Sequence, residues 1–159
     1  MELDYILKKY NVNGRFIELP IPREELGSLF RELGYKNGVE IGVERGIYSE
    51  ELCKRNPELK LYCIDAWKAY RGYRDHTNQE KLEKYFKETQ ERLSKYNCKI
   101  IRDWSIEAVK HFPNESLDFV YIDGNHDFQH TTNDIAEWSK KVRKGGIIAG
   151  HDYVRCRSS

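Results

Sequence analysis

The side chains of this 159-residue chain best suited to chemistry lie in four short stretches. The first, Val39-Glu40-Ile41-Gly42, closes at Gly46 to give an E-x-G-x-x-x-G spacing. A glycine at position 42 lets the main chain bend sharply and bring N–H groups close to a ligand, in space that a side chain would fill. The spacing departs from the G-x-G-x-x-G of dinucleotide sites, and an acid at position 40 is ill matched to a pyrophosphate. It suits a ligand carrying an ammonium or sulfonium group. The plainer reading is a strand, turn and helix whose glycines only permit close packing. The second stretch ends in Asp65, about 19 residues beyond Gly46, where nucleotide-binding α/β folds place the acid that takes ribose hydroxyls. Its plainer reading is a solvated aspartate capping the next turn.

The third stretch is Asp123-Gly124-Asn125-His126 and the fourth His151-Asp152. If their strands are neighbours, Asp123 and Asp152 face each other, and two close carboxylates repel unless a proton or cation lies between them. Mg²⁺ takes oxygen ligands and keeps several waters, so two carboxylates plus a substrate hydroxyl would serve it. Such an ion lowers the pKa of a bound hydroxyl, and His126 could then remove its proton as general base. Alternatively His126 or His151 ligates the metal, which favours Mn²⁺, Fe²⁺ or Zn²⁺. The plainer reading makes Asp123 a turn cap and the histidines polar loop residues.

These groups need a scaffold that brings them to one place. Apolar runs and helical periodicity alternate along the chain. Strands are expected at residues 38–41, 61–64, 99–102, 117–122 and 146–150, with helices at 23–33, 47–55, 79–96 and 106–111. A further helix follows Asp127, with Phe128, Ile135, Trp138 and Val142 as its buried face, broken by Lys144-Gly145-Gly146. Gly34 is the expected stop of the 23–33 helix, and Ser105 or Asp103 the cap of the 106–111 helix. Residues 1–22 are weakly patterned, and residues 66–78 form an aromatic loop, either a lid or a packed surface loop. Five alternations without a hairpin signal call for a mostly parallel sheet with helices on both faces. Right-handed crossovers then put every strand end, and every acid above, along one edge.

A length of 159 residues allows one domain with a core, here 1–35 as a helical extension and 36–153 as the core. A net charge of +1 gives no pull toward nucleic acid or an anionic membrane. Cys53, Cys63, Cys98 and Cys156 have no zinc spacing, and Cys63 reads as a core residue. The first residues lack the apolar centre of a signal peptide, and no run approaches the ~20 apolar residues of a membrane span. A cytoplasmic protein is the default expectation.

The blocks from Val39 to Gly46, Ile64-Asp65, Tyr121-Ile122-Asp123-Gly124-Asn125-His126 and Gly145-Gly146-Ile147-Ile148-Ala149-Gly150-His151-Asp152-Tyr153 together resemble a class I S-adenosylmethionine (SAM) methyltransferase. The closest group is methyltransferase domain family 24, which resembles the cephalosporin-hydroxylase-like and macrolide-sugar O-methyltransferases. The resemblance implies a Rossmann-like α/β sandwich with SAM across the first three strand ends. Glu40, Gly42 and Gly46 would line the methionine part, Asp65 would hold the ribose with Ala66 and Trp67 beside it, and Asp103, Trp104 and Ser105 would surround adenine. Asp123 would border the transfer site, Asp123, Asp152 and His151 would hold Mg²⁺ or another divalent metal, and His126 would be the base. Relatives usually continue into antiparallel sixth and seventh strands, whereas this sequence stops at Ser159. A truncated chain, a minimal variant, or an open edge covered by a second copy each account for that.

The activity expected is O-methylation of a small-molecule hydroxyl. One rival is a non-catalytic module that holds SAM or its product S-adenosylhomocysteine (SAH). A second is an NAD-dependent oxidoreductase, disfavoured by the glycine spacing. Methylation of nucleic acid is disfavoured by Asp-Gly-Asn where flipped-base enzymes carry N-P-P-Y, and by the lack of a basic stripe.

Overall fold

The computed structural model describes residues 2–14, 17–70 and 78–150. Five strands form one sheet in the order β3-β2-β1-β4-β5, every pair parallel. They are β1 (Asn37–Ile41), β2 (Lys60–Asp65), β3 (Cys98–Arg102), β4 (Leu117–Ile122) and β5 (Val142–Gly150). The helices are α1 (Glu2–Tyr10), α2 (Leu26–Glu32), α3 (Ile47–Arg55), α4 (Gln79–Leu93), α5 (Ser105–Ala108) and α6 (Phe128–Trp138). A 3₁₀ turn, Arg23–Glu25, leads into α2. This is the Rossmann-like arrangement expected of the sequence. Its order reverses between β1 and β4, the switch point where open α/β sheets bind ligands.

Alternation along the buried strands gives each sheet face its own core. On one face Phe30 of α2 stacks on Phe119 of β4 at 4.0 Å, and Leu52 and Cys53 of α3 pack with Leu61 and Cys63 of β2. Gly38 is required there, because a Cβ would lie 2.1 Å from the Phe119 ring. On the other face Val39, Ile41, Ile64, Val120 and Ile122 meet Ala108, Val109, Phe112 and Trp138. Cys63 is a core residue as expected, and the free thiols of Cys53 and Cys98 approach to 3.5 Å.

Four expectations change. Residues 2–10 form α1, which the sequence leaves unpatterned. It is fastened to the sheet by Arg143, whose guanidinium donates to Glu2 and to Asp118 of β4. The inward face of α6 is Asp134 and Trp138, while Phe128 is 87% and Ile135 47% exposed. The helix lies against β4 and α5, where Trp138 fills the core of that face and Asp134 meets Ser105, so Phe128 and Ile135 are left outside. Helix α6 stops at Trp138 and Val142 belongs to β5, so the helix is not ended by the run Lys144-Gly145-Gly146. That run lies within β5, where Leu117 pairs Val142 but Phe119 pairs Ile147, so the glycines accommodate a bulge. Finally, α5 has no side-chain cap: Ser105 is its first residue and Asp103 precedes it without capping it.

Candidate functional site at the switch point

Backbone bonds join four strand ends into one rim. Gly42 N–H donates to the Ile64 carbonyl at 2.9 Å, Asp103 N–H to Asp65 at 3.1 Å, and Asp123 N–H to Ile41 at 2.8 Å. Gly42 (φ +86°) faces protein, because a Cβ there would stand 2.0 Å from the Asp123 carbonyl oxygen. Its missing side chain admits the backbone of the loop after β4. Gly46 (φ +69°) faces α4, where an added Cβ would stand 3.1 Å from the Thr89 methyl. Close packing against the loop after β4 and against α4 accounts for the absence of a side chain at both positions.

The acids of the rim are held differently. Glu40 is 1% exposed, and it accepts a hydrogen bond from Ser49 in the first turn of α3. Burial pushes its carboxyl up to about 8, with the nearby Asp123 charge adding to the rise, so it is largely protonated at neutral pH. Its side chain is turned to Ser49, beneath the surface of the crevice. Asp65 is 7% exposed, and its two oxygens accept from Glu44 N–H and Trp67 N–H, both at 2.9 Å. Glu44 (φ +51°) and Trp67 (φ +42°) both have left-handed backbones, a strain sustained only where the surroundings fix it. Trp67 does so by donating its indole N–H to the Glu44 carbonyl at 2.7 Å, and it is fully buried against Phe86. Its side chain is a pillar under the glycine loop.

Beyond this rim, Ala66, Lys68, Gln79, Arg102, Asp103 and Trp104 line a cleft of ≈ 430 Å³ at the ends of β2 and β3. Asp103 turns its carboxylate onto the Trp104 N–H at 2.8 Å. Tyr70 meets the Trp104 ring edge-on at 5.1 Å and accepts a 2.8 Å bond from the Asn125 amide, linking the loops after β2 and β4. Ser105, expected near the same cleft, turns away. Its hydroxyl donates to Asp134 at 2.5 Å and accepts from the Trp138 indole at 2.7 Å. Burial raises the Asp134 carboxyl, with the Ser105 bond opposing the rise.

Asp123 is only partly exposed. His126 Nε2 lies 3.8 Å from its Oδ1, and Arg23 Nη1 donates to its Oδ2 at 3.1 Å. His126 thus stands beside the acid that the sequence pairs with it. His151 and Asp152 lie outside the described residues. Among the described residues no group of three His, Cys, Asp or Glu side chains is placed to hold a metal ion. The donors described around Asp123 do not fit a divalent metal, since the carboxylate already carries a guanidinium.

Arg23, Tyr70 and Asn125 complete the site, and Arg23 had no signal in the sequence. Only the Pro20-x-Pro22 lead, which fixes the approach of the chain, distinguishes it from other surface arginines. Asn125 was legible as part of the fourth-strand motif, and Tyr70 as part of the aromatic loop.

A methyltransferase domain family, methyltransferase family 24, matches residues 39–153. The chain belongs to this family. Solved structures agree with the family 24 fold. A Staphylococcus aureus protein assigned as a caffeoyl-CoA O-methyltransferase is 14% identical, with TM-score 0.62 over 93% of this chain and 63% of that one. A precorrin-6y C5,15-methyltransferase from Geobacter metallireducens is 15% identical, with TM-score 0.56 over 89% and 66%. Spermidine synthase from Thermotoga maritima is 16% identical, with TM-score 0.57 over 80% and 42%. These likenesses carry the fold of family 24 and not the group transferred. The chain spans less than two thirds of the Staphylococcus protein. No curated protein matches the sequence. Among the described residues no helix is long and apolar enough to cross a membrane.

Proposed function

We propose that this family 24 domain binds SAM along its carboxyl edge and carries its methyl group to a hydroxyl of a small molecule, of sugar or natural-product type. One observation carries the reading: a cleft lined by Trp104 and polar side chains and a carboxylate–imidazole pair lie on the same edge, separated by the switch point. Strands are spaced by about 4.8 Å, so the cleft at β2 and β3 lies about 10–14 Å from Asp123 on β4. That is the reach of a nucleoside with an amino-acid arm. When bound, SAM supplies a methyl on a sulfonium leaving group.

The chain's own residues then bind, orient and deprotonate. Trp104 flanks the adenine ring, with Asp103 and Ala66 beside it. Each Asp65 oxygen already holds one backbone amide and keeps a second acceptor position for a ribose hydroxyl. Glu40, Trp67 and Ser105 act from underneath, fixing α3, the glycine loop and α6. Asp123 borders the acceptor, and His126 Nε2 takes the hydroxyl proton while the adjacent carboxylate steadies the imidazolium. No step requires a metal.

Calorimetry with SAM, SAH and NAD, followed by transfer of labelled methyl to a panel of hydroxyl compounds, tests this. SAM and SAH should bind and NAD should not compete. His126→Ala should lower turnover by about 100-fold or more, with SAM affinity unchanged. Binding without transfer to any acceptor would leave a cofactor-holding module, and absence of SAM binding would end the reading altogether.

A further inference from the structure

The sequence poses a problem of charge at Asp123, which calls for a cation, and the structure contains one. Arg23 lies before the family-matched region, one hundred residues from Asp123, yet its Nη1 donates to Asp123 Oδ2 at 3.1 Å. Its position is constructed at both ends. The extended backbone of Pro22 (φ −66°, ψ 152°) delivers the chain to the 3₁₀ turn. The Tyr48 hydroxyl of α3 donates to the Arg23 carbonyl at 2.9 Å, fixing its main chain. The guanidinium lies over the Tyr48 ring at 5.0 Å, and that ring rests on Tyr121 of β4 at 4.5 Å. A cation held on an aromatic face and hydrogen-bonded to a carboxylate is oriented by both partners.

We propose that Arg23 is the resident cation of the transfer site, a positioning residue that takes the place a divalent metal would hold at Asp123. This rests on the reading of the crevice as a methyl-transfer site. The guanidinium neutralises Asp123, aims its second oxygen toward His126, and repels a divalent ion. Arg23 thereby fixes the acid that borders the acceptor hydroxyl, while His126 receives the proton.

Mn²⁺ alone, followed by its electron paramagnetic resonance signal, is the probe. The wild-type protein should leave Mn²⁺ free at millimolar concentration, and so should Arg23→Lys, which keeps the charge. Arg23→Ala should raise Mn²⁺ affinity by about tenfold or more, because it removes a positive charge close to the carboxylate. Adding Asp123→Asn should abolish that gain. Arg23→Gln, which keeps length and hydrogen bonding without charge, replaces the alanine variant if the latter fails to melt cooperatively. Two results overturn the proposal: Mn²⁺ uptake by the wild type that Asp123→Asn abolishes, or folded neutral variants with wild-type Mn²⁺ affinity. SAH calorimetry on the same samples separates the two ideas. Loss of SAH binding in the wild type would sink the transfer-site reading, whereas the Mn²⁺ series alone decides the role of Arg23.

Discussion

Burial raises the Glu40 carboxyl to about 8, against an unfolded value near 4.5, while the Ser49 hydroxyl partly offsets the rise. The folded chain therefore holds a proton that the unfolded chain has lost over most of that interval. The stability linked to this proton is fully present below the unfolded pKa and falls as pH rises through about 8. Glu40→Gln should remove this slope, so the difference in melting temperature between variant and wild type should grow from pH 5 to pH 8. The full effect is on the order of a few kcal/mol, and thermal melts across that range would measure it. An unchanged difference would mean that Glu40 is ionised in the folded protein. Ser105 illustrates a second residue-scale lesson. Its spacing before a short helix reads as a cap, but a hydroxyl can bond any nearby acceptor, and Asp134 from another helix takes it.

At the scale of elements, the two glycines at 34 and 42 separate conformational strain from crowding. Both have positive φ, +73° and +86°, but a Cβ at Gly34 meets nothing within 4 Å, whereas one at Gly42 meets the Asp123 carbonyl. Gly34→Ala should cost about 1 kcal/mol and Gly42→Ala about 3 kcal/mol or more, by chemical denaturation. Equal costs would mean that the loop after β4 can move aside. Strands and helices were largely legible because buried parallel strands must be apolar and their covering helices amphipathic. The sequence expects the α3 and β4 limits that the structure shows, whereas β5 begins at Val142 rather than at 146 and absorbs its glycines in a bulge. On α6 the sequence correctly expects Trp138 inside, but Phe128 and Ile135 point outward and Asp134 points in, which apolar periodicity does not encode. Phe128→Ser should accordingly change stability by less than about 0.5 kcal/mol. Of the site, the residues borne on strand ends were readable. Their orientations were not, because Glu40 and Trp67 follow from contacts with α3 and the glycine loop that no local pattern encodes.

For the molecule as a whole, the segment before β1 is more than a cover. Arg143 and Asp118 fasten α1 and the start of β1 to β4 and β5: Asp118 accepts from Lys36 N–H at 2.7 Å and Asn37 N–H at 2.8 Å, and Arg143 bridges it to Glu2. Arg143→Ala should speed amide hydrogen exchange in α1 while leaving β1 and β4 protected. Equal loosening of the whole sheet would show that this contact supports more than the helix. The central position of β1 has a further consequence. It pairs with β2, which follows it closely, and with β4, which the chain reaches only at Leu117. During synthesis on the ribosome β1 therefore keeps one edge and part of its apolar surface uncovered until β4 has emerged. The crevice is among the last features to form, and a nascent chain stalled before Asp123 exposes Val39 and Ile41 to whatever chaperone is at hand.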